Sequence, residues 1–202
     1  WEAKAMRAQA GEVAHRLLTW LNAQGDVQSV TESGLELKTT LSVTRDDGTQ
    51  RDIELKIAGR ADRIEFHADG VVVYDFKTGK NPVDANKVST DVQLALYAYA
   101  ISNGSYEDSN GQQRVVADVP VKGAALIQLQ HSDKVTPELP MVQFAKAEDH
   151  DENSDVPLEA RLANTALVIL DEQYVAIYNE QQCKTCPGRI VCPAVPAGRS
   201  ML

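Results

Sequence analysis

The sequence has few cysteines, few aromatic residues and no long apolar run, and these shortages exclude some classes of protein. Three of the 202 residues are cysteine, too few for the disulfide framework of a small secreted domain. The most apolar stretches, such as residues 93–101, are too short and too polar to cross a bilayer. No secretory signal is apparent, so we expect a cytoplasmic protein. The length suits one domain with a substantial core.

Basic residues are outnumbered by acidic ones, which at first argues against a nucleic-acid partner. The chain has 20 Lys and Arg against 29 Asp and Glu, a formal net charge of −9. Five of the acidic residues, however, crowd into residues 148–155, and a nuclease needs carboxylates of its own to hold a metal ion. If DNA is the substrate, we expect another domain or subunit to supply most of the binding energy.

The chain starts at Trp1 without an initiator methionine, and its first residues already repeat with helical spacing. We therefore expect it to be a piece of something longer. Apolar residues recur every three or four positions over 2–22 and predict an amphipathic helix. His15 lies at the edge of the apolar stripe. By itself this position is more typical of a packed helical histidine than of a metal ligand.

Residues 35–77 change to the alternation that is typical of β-strands. A turn at Asp69-Gly70 separates the motif GRADRI at 59–64 from the strand VVVYDFK at 71–77. Alternation places Asp75 and Lys77 on one face of that strand. Counting back from the turn puts Asp62 nearly opposite Asp75, so we expect the two carboxylates to converge. A solvated surface ion pair would explain Asp75 and Lys77 equally well on spacing alone.

The rest of the chain alternates between helical and strand patterns and predicts an α/β domain. Helical spacing returns over 91–101, where Gln93 and Tyr97 are four residues apart and share a face. Residues 103–113 predict a surface loop, residues 123–130 an apolar strand, and residues 158–180 one long closing helix.

Two converging carboxylates and an amine are the groups that metal-assisted phosphodiester hydrolysis requires. Mg²⁺ takes hard oxygen ligands, usually one or two carboxylates together with waters and a substrate phosphate. Asp62, Asp75 and the backbone carbonyl of Phe76 could supply such oxygens. Lys77 could orient or deprotonate the attacking water, and a nearby metal ion is expected to lower the pKa of this lysine.

Four motifs in order resemble the RecB-like branch of the PD-(D/E)XK nuclease superfamily. They are GEVAH at 11–15, GRADRI at 59–64, DFKTG at 75–79 and QLALY at 93–97. Each motif is weak alone, but their order and spacing together are specific. The resemblance implies a restriction-endonuclease-like core with a mixed central β-sheet flanked by helices. It also implies an Mg²⁺- or Mn²⁺-dependent deoxyribonuclease.

The resemblance assigns roles to six side chains. His15, Asp62 and Asp75 would bind the metal ion, together with the Phe76 carbonyl. Lys77 would be the catalytic lysine, and Gln93 and Tyr97 would contact DNA or brace the site. None of these positions departs from the family pattern, so we expect an intact site.

The three cysteines, Cys183, Cys186 and Cys192, fall in one short segment with the spacing C-x2-C-x5-C. A structural disulfide is unexpected in a cytosolic chain, so a metal site is favoured. Thiolates select zinc or an iron–sulfur cluster, and both require four ligands. His131 or His150 could complete a zinc site.

The family resemblance favours the cluster over zinc. Related members carry the same triplet with a fourth cysteine far upstream, and the four together chelate a [4Fe–4S] cluster. We therefore expect the fourth ligand to lie in sequence not present here. We also expect residues 1–202 to form one nuclease domain, closed by a cysteine clasp at 183–192.

The leading functional hypothesis is an exonuclease module of a helicase–nuclease that acts in DNA end resection and recombinational repair. Its substrate would be a single-stranded DNA end delivered by a helicase motor domain or subunit. Two alternatives stay open: a catalytically silent, nuclease-like domain that binds DNA or serves as a scaffold, and a standalone CRISPR-associated-type exonuclease. A silent domain would require a decayed site.

Overall fold

The computed structural model describes residues 2–45, 47–116, 120–145, 158–170, 176–189 and 192–195. The chain divides into two compact units, Trp1–Arg161 and Leu162–Leu202. No helix in the described part of the chain is long and apolar enough to span a membrane.

The first unit is built on a seven-stranded mixed β-sheet. Its strands are β1 (Gln28–Thr44), β2 (Gln50–His67), β3 (Gly70–Lys77), β4 (Ser105–Glu107), β5 (Gln113–Arg114), β6 (Val121–Ser132) and β7 (Pro140–Phe144). The strand order is β5-β4-β1-β2-β3-β6-β7, and β3 and β6 are parallel whereas the other neighbours are antiparallel. The predicted α/β fold with a mixed central sheet is therefore confirmed.

The helices are α1 (Glu2–Gln24), α2 (Ala85–Ser89), α3 (Val92–Asn103), α4 (Leu158–Leu170) and α5 (Glu180–Thr185). Helix α3 begins where the Asp91 side chain accepts a hydrogen bond from the backbone N–H of Leu94. An aspartate cap of this kind satisfies a backbone donor that the helix itself leaves unpaired. The cap fixes where the first turn of α3, which carries Gln93, meets the sheet.

Two sequence predictions about secondary structure are wrong. The predicted single helix over 158–180 is interrupted, because Asn179 has an extended backbone and its side chain caps a separate helix α5. The predicted surface loop over 103–113 contains β4, which pairs with β1 and with β5. Asp108 accepts hydrogen bonds from Asn110 and Gln112 and closes the tight turn between these two strands.

The sheet separates two apolar cores, and successive residues of β3 point alternately into them. Val71 and Val73 pack in the core that includes residues of α3. Val72 and Tyr74 pack in the other core, with Trp20 of α1. Asp75 and Lys77 therefore continue the face of β3 that α3 covers.

Candidate active site

Asp75 is a buried carboxylate near the end of β3. Its residue exposure is 5%. The Gln93 amide Nε2 donates to Oδ1 at 3.1 Å, and the Lys77 ammonium Nζ lies 2.6 Å from Oδ2. Among the described residues, Oδ2 has this ion pair as its contact and accepts no directed hydrogen bond. A carboxylate oxygen has lone pairs for more than one contact, so Oδ2 can also bind a metal ion.

Asp62 lies beside Asp75 across the end of a strand ladder. The antiparallel pairing of β2 with β3 ends at Arg63 and Tyr74, one residue short of the two aspartates. Asp62 Oδ2 accepts a hydrogen bond from the backbone N–H of Phe76 at 2.7 Å. The structure thus brings Asp62, Asp75 and Lys77 together at the end of β3.

The neighbouring strand is irregular directly opposite Asp62. Strand β1 pairs with β2 on both sides of Glu32, but Glu32 has a φ of 51° and is not paired with Asp62 in the described ladder. A non-glycine residue in this region costs about 1–2 kcal/mol. Ala61 and Ile64 both face the core that includes residues of α3, although strict alternation would put them on opposite faces. The irregularity therefore changes which face of the sheet the residues around Asp62 occupy.

Gln93 and Tyr97 brace the site from α3. Besides contacting Asp75, Gln93 Nε2 donates to the Tyr97 hydroxyl at 2.7 Å, and that hydroxyl donates to the Arg60 carbonyl at 2.8 Å. The predicted pair is thus linked to both strands that carry the aspartates. The chain of contacts fixes the amide of Gln93 against Asp75.

The electrostatics of the site follow from an excess of carboxylates. Burial raises the pKa of Asp75, and the charges of Asp62 and Asp91 raise it further against the opposing effect of Lys77. Burial by itself would lower the pKa of Lys77, but Asp75 and Asp62 outweigh this effect and raise it. Without a metal ion, Lys77 is therefore an ammonium group. The lower pKa that we expect for Lys77 beside a metal ion applies to the metal-bound protein.

Asp91 is a carboxylate near the site that the sequence reasoning did not single out. Its position before a helical stretch marks it as a helix cap. The spacing of residues in the sequence does not show that the N-terminal end of α3 lies near Asp75.

The structure does not bring His15 to the aspartates. Val13, Leu17 and Trp20 of α1 pack in the core opposite the α3 face, and helical periodicity turns His15 away from them, where it is exposed. Among the described residues there is no group of three or more His, Cys, Asp or Glu side chains that could hold a metal ion. The expected combination of His15 with Asp62 and Asp75 is not assembled in this structure.

The cysteines lie in the second unit and are free thiols. Cys183 is in α5, where its Sγ accepts a hydrogen bond from the Asn179 backbone N–H at 3.3 Å, and Cys186 ends the helix. With Cys192 they do not form a metal-holding group in the described chain. Of the two histidines considered for zinc, His131 lies on β6 in the first unit, and His150 lies outside the described residues.

Comparison of the sequence with models of protein families identifies the family of this chain. The model of the PD-(D/E)XK nuclease superfamily matches residues 1–193. The chain belongs to the PD-(D/E)XK nuclease superfamily. Members of this superfamily are generally nucleases that hydrolyse phosphodiester bonds, and they typically use Mg²⁺ or Mn²⁺.

Two further comparisons add little to the PD-(D/E)XK assignment. No curated protein sequence matches the chain significantly. Among solved structures, the chain is similar to the crystal structure of SSO0001, with 20% identity and a TM-score of 0.41 over 89% of this chain and 67% of that one.

The residues of the site fit a divalent cation on two observations. First, Asp75 Oδ2 is a buried hard oxygen, and its contact in the described structure is the Lys77 ammonium. Second, Asp62 and Asp91 add negative charge near Asp75, which has one contacting ammonium, that of Lys77. Two carboxylates are enough for Mg²⁺, which usually keeps several waters.

Proposed function

We propose that this protein is an Mg²⁺- or Mn²⁺-dependent deoxyribonuclease that degrades DNA from an end. The observation that carries the proposal is the buried Asp75 beside Asp62 and Lys77, where carboxylates outnumber the one ammonium group that contacts Asp75. Membership of the PD-(D/E)XK superfamily supports the reaction class.

The proposed roles follow from the contacts at the end of β3. Asp62 and Asp75 would hold the metal ion, with the Phe76 carbonyl as a further oxygen. When bound, the ion stabilises the charge that grows on the phosphoryl oxygens. Water adds its hydroxyl group to phosphorus, the bond from phosphorus to the leaving oxygen breaks, and that oxygen takes the remaining proton. The Lys77 ammonium would orient the water and offset phosphate charge.

The finer placement in the RecB-like branch is supported by the order of the four motifs between residues 11 and 97. It implies work beside a helicase motor in DNA end resection and recombinational repair. The net charge of −9 agrees with a partner that supplies most of the DNA affinity. We also propose that residues 1–202 act as a single nuclease domain.

From the placement in the RecB-like branch we also propose a [4Fe–4S] cluster. Its ligands would be Cys183, Cys186 and Cys192, with a fourth cysteine outside this sequence. Visible absorbance and iron content of the anaerobically purified protein test this proposal. We expect both signals in a chain that carries the fourth ligand, and their loss in Cys186→Ser. Bound zinc without iron would contradict it.

A nuclease assay on labelled single-stranded oligodeoxynucleotides tests the main proposal. Asp75→Ala and Lys77→Ala should each lower the Mg²⁺-dependent rate by about 10²- to 10³-fold, as expected when one preorganised transition-state contact is lost. Asp69→Ala and Lys122→Ala are matched controls, because each breaks another 2.6 Å carboxylate–ammonium contact. This contact is exposed, and Asp69 precedes β3, at the opposite end of the strand from Asp75. Full activity in EDTA would rule the mechanism out.

A catalytically silent, DNA-binding domain is the second candidate. The observation that favours it is the outward position of His15, which leaves the expected metal ligands incomplete. This candidate expects metal-independent DNA binding, no cleavage with either Mg²⁺ or Mn²⁺, and no effect of Asp75→Ala on binding.

A further inference from the structure

An apolar cavity lies between α3 and the paired strands β1 and β2. Its volume is about 430 Å³. Its walls come from Leu35 and Ile57 of the strands and from Val92, Leu96, Tyr97 and Ala100 of the helix, and the backbone around Gly59 closes one side. No charged side chain is among the lining residues. The cavity is within the usual size of a small-molecule site, about 300–1,000 Å³.

The cavity adjoins the candidate active site through Gln93. This residue lines the cavity, and its Nε2 donates to Asp75 Oδ1 at 3.1 Å. Val92, also in the lining, is 43% exposed, so the cavity is accessible from solvent. A molecule held at Asp75 could therefore place a neighbouring group in the cavity.

The lining of the cavity favours an uncharged, largely apolar group. A Cβ atom added at Gly59 would lie 3.3 Å from Tyr97 Cε1, so a larger residue there would crowd the ring. The Gln93 amide nitrogen is committed to Asp75 and Tyr97, whereas its amide oxygen has no donor in the described contacts. The site thus combines apolar surfaces with one hydrogen-bond acceptor at its edge.

We propose that this cavity binds the unpaired base of a nucleotide adjacent to the scissile phosphate. The inference rests on the proposed nuclease function and specifies its substrate. A nucleobase is uncharged, has two apolar faces that stack on aromatic and aliphatic walls, and has a polar edge with amino or imino donors for the Gln93 oxygen. A phosphate group does not suit the cavity, because no cation lines it.

The geometry selects for single strands. A base inside a duplex is paired and stacked, and moving it into a protein pocket costs a few kcal/mol. A base in a single strand or at a frayed end is already free. Occupation of the cavity therefore favours unpaired DNA at the step that precedes cleavage.

The first test changes the substrate, and the second changes the protein. A fluorescent single-stranded oligodeoxynucleotide is bound in Ca²⁺ and cleaved in Mg²⁺, and a series of oligonucleotides carries one abasic residue at successive positions. We expect an abasic residue at one position to weaken binding by about tenfold, the size of one base-stacking contact. Abasic residues at the other positions should have little effect.

Two variants and a control locate the effect in the cavity. Gly59→Val should narrow the cavity and weaken binding of the normal oligonucleotide toward the abasic value, and Val92→Ser should have a smaller effect in the same direction. Val115→Ser is the matched control, because Val115 is 70% exposed and does not line the cavity. The abasic series needs no variant, so a misfolded Gly59→Val would not affect the result.

The outcomes separate this inference from the proposed function. Cleavage that depends on Asp75 but is insensitive to every abasic position would overturn the cavity and leave the nuclease intact. Position-dependent binding without cleavage would overturn the nuclease and support the cavity. Neither binding nor cleavage would overturn both.

Discussion

The two faces of the central sheet each bury a carboxylate, and the immediate contacts of the two are closely alike. Asp75, under α3, accepts a hydrogen bond at Oδ1 and has an ammonium group 2.6 Å from Oδ2. Glu65, on the α1 face, accepts from Arg63 Nε at 2.7 Å and has His67 Nε2 at 3.1 Å from its other oxygen. In both, the second oxygen lacks a directed hydrogen bond in the described structure. A buried carboxylate oxygen that accepts no directed hydrogen bond therefore does not by itself mark a functional group.

The difference lies in the balance of charge around each carboxylate. Glu65 has no exposed surface, and its partner Arg63 is enclosed, with a side-chain exposure of 13% and its guanidinium 5.9 Å from the Trp20 ring centroid. Arg63, with His67 beside it, neutralises Glu65 without any further ion. Around Asp75 the proportion is reversed, because carboxylates outnumber the one contacting ammonium group. An unbalanced carboxylate cluster with an exposed lysine favours binding of a cation, and a balanced one does not.

Glu65→Ala should give the largest change in stability. It removes the partner of the enclosed Arg63, and loss of one member of a buried ion pair costs about 3–5 kcal/mol. Urea unfolding at pH 7 measures the free energy of unfolding. Glu12→Ala is the control, since its carboxylate is 68% exposed and 3.7 Å from Arg16, and we expect a change below about 1 kcal/mol. A loss below about 1 kcal/mol in Glu65→Ala would show that the balanced cluster is not structural.

Tyr74 tests the same cluster at alkaline pH. Burial, followed by the charge of Glu65, raises the pKa of Tyr74 to about 12 from an ordinary value of 10.0. The folded protein therefore keeps the phenol proton more tightly than the unfolded chain does. This contribution to stability is complete below pH 10 and is lost as the pH rises through about 12. It amounts to roughly 2–3 kcal/mol at most, from about 1.4 kcal/mol per pKa unit.

In Tyr74→Phe the free energy of unfolding should fall less steeply between pH 10 and 12 than in the wild type. Thermal or urea unfolding at closely spaced pH values measures this slope. The difference in tyrosinate absorbance between the wild type and Tyr74→Phe reports the titration of Tyr74. Tyr178→Phe, at a residue that is 54% exposed, is the control. Equal slopes for the wild type and Tyr74→Phe would contradict the enclosed position of the phenol beside Glu65.

The sequence predicts the α3 side of the sheet better than the α1 side, for a physical reason. The positions of Asp62, Asp75 and Lys77 depend on strand alternation and a two-residue turn, both of which are local. Gln93 and Tyr97 depend on helical spacing, which is also local. Which face of the sheet a helix covers is decided by long-range packing, and α1 covers the opposite face because Trp20 packs edge-on against Tyr74 and Phe76.

His15 and Glu65 show what local patterns omit. Spacing indicates that His15 shares a turn with its motif neighbours, but it does not show toward which part of the sheet that turn points. Glu65 directly follows the GRADRI motif and reads as one more charged residue, although it is completely buried. A charge between two apolar residues, Ile64 and Phe66, was the available signal for Glu65. No comparable signal in the sequence revealed the irregular backbone at Glu32 or the cavity beside Tyr97.

Asp75→Asn should produce the smallest effect and the sharpest contrast with Glu65. Because burial raises the pKa of Asp75, the folded protein binds this proton more tightly than the unfolded chain. Its contribution to stability is present below the ordinary carboxyl pKa of 3.8 and is lost as the pH rises through the folded value. At pH 7 in EDTA the charged carboxylate therefore costs stability, and Asp75→Asn should be more stable than the wild type by about 1 kcal/mol.

Saturating Mg²⁺ should reduce or reverse this difference, because an ion that binds only the folded wild type stabilises it by mass action. Asp69→Asn is the control, since Lys122 lowers the pKa of that exposed carboxyl and its loss should not stabilise the protein. Thermal unfolding of the wild type and both variants, in EDTA and in Mg²⁺, gives the six values required. If Asp75→Asn is less stable than the wild type in EDTA, Lys77 alone neutralises Asp75. The two faces of the sheet would then hold equivalent structural ion pairs.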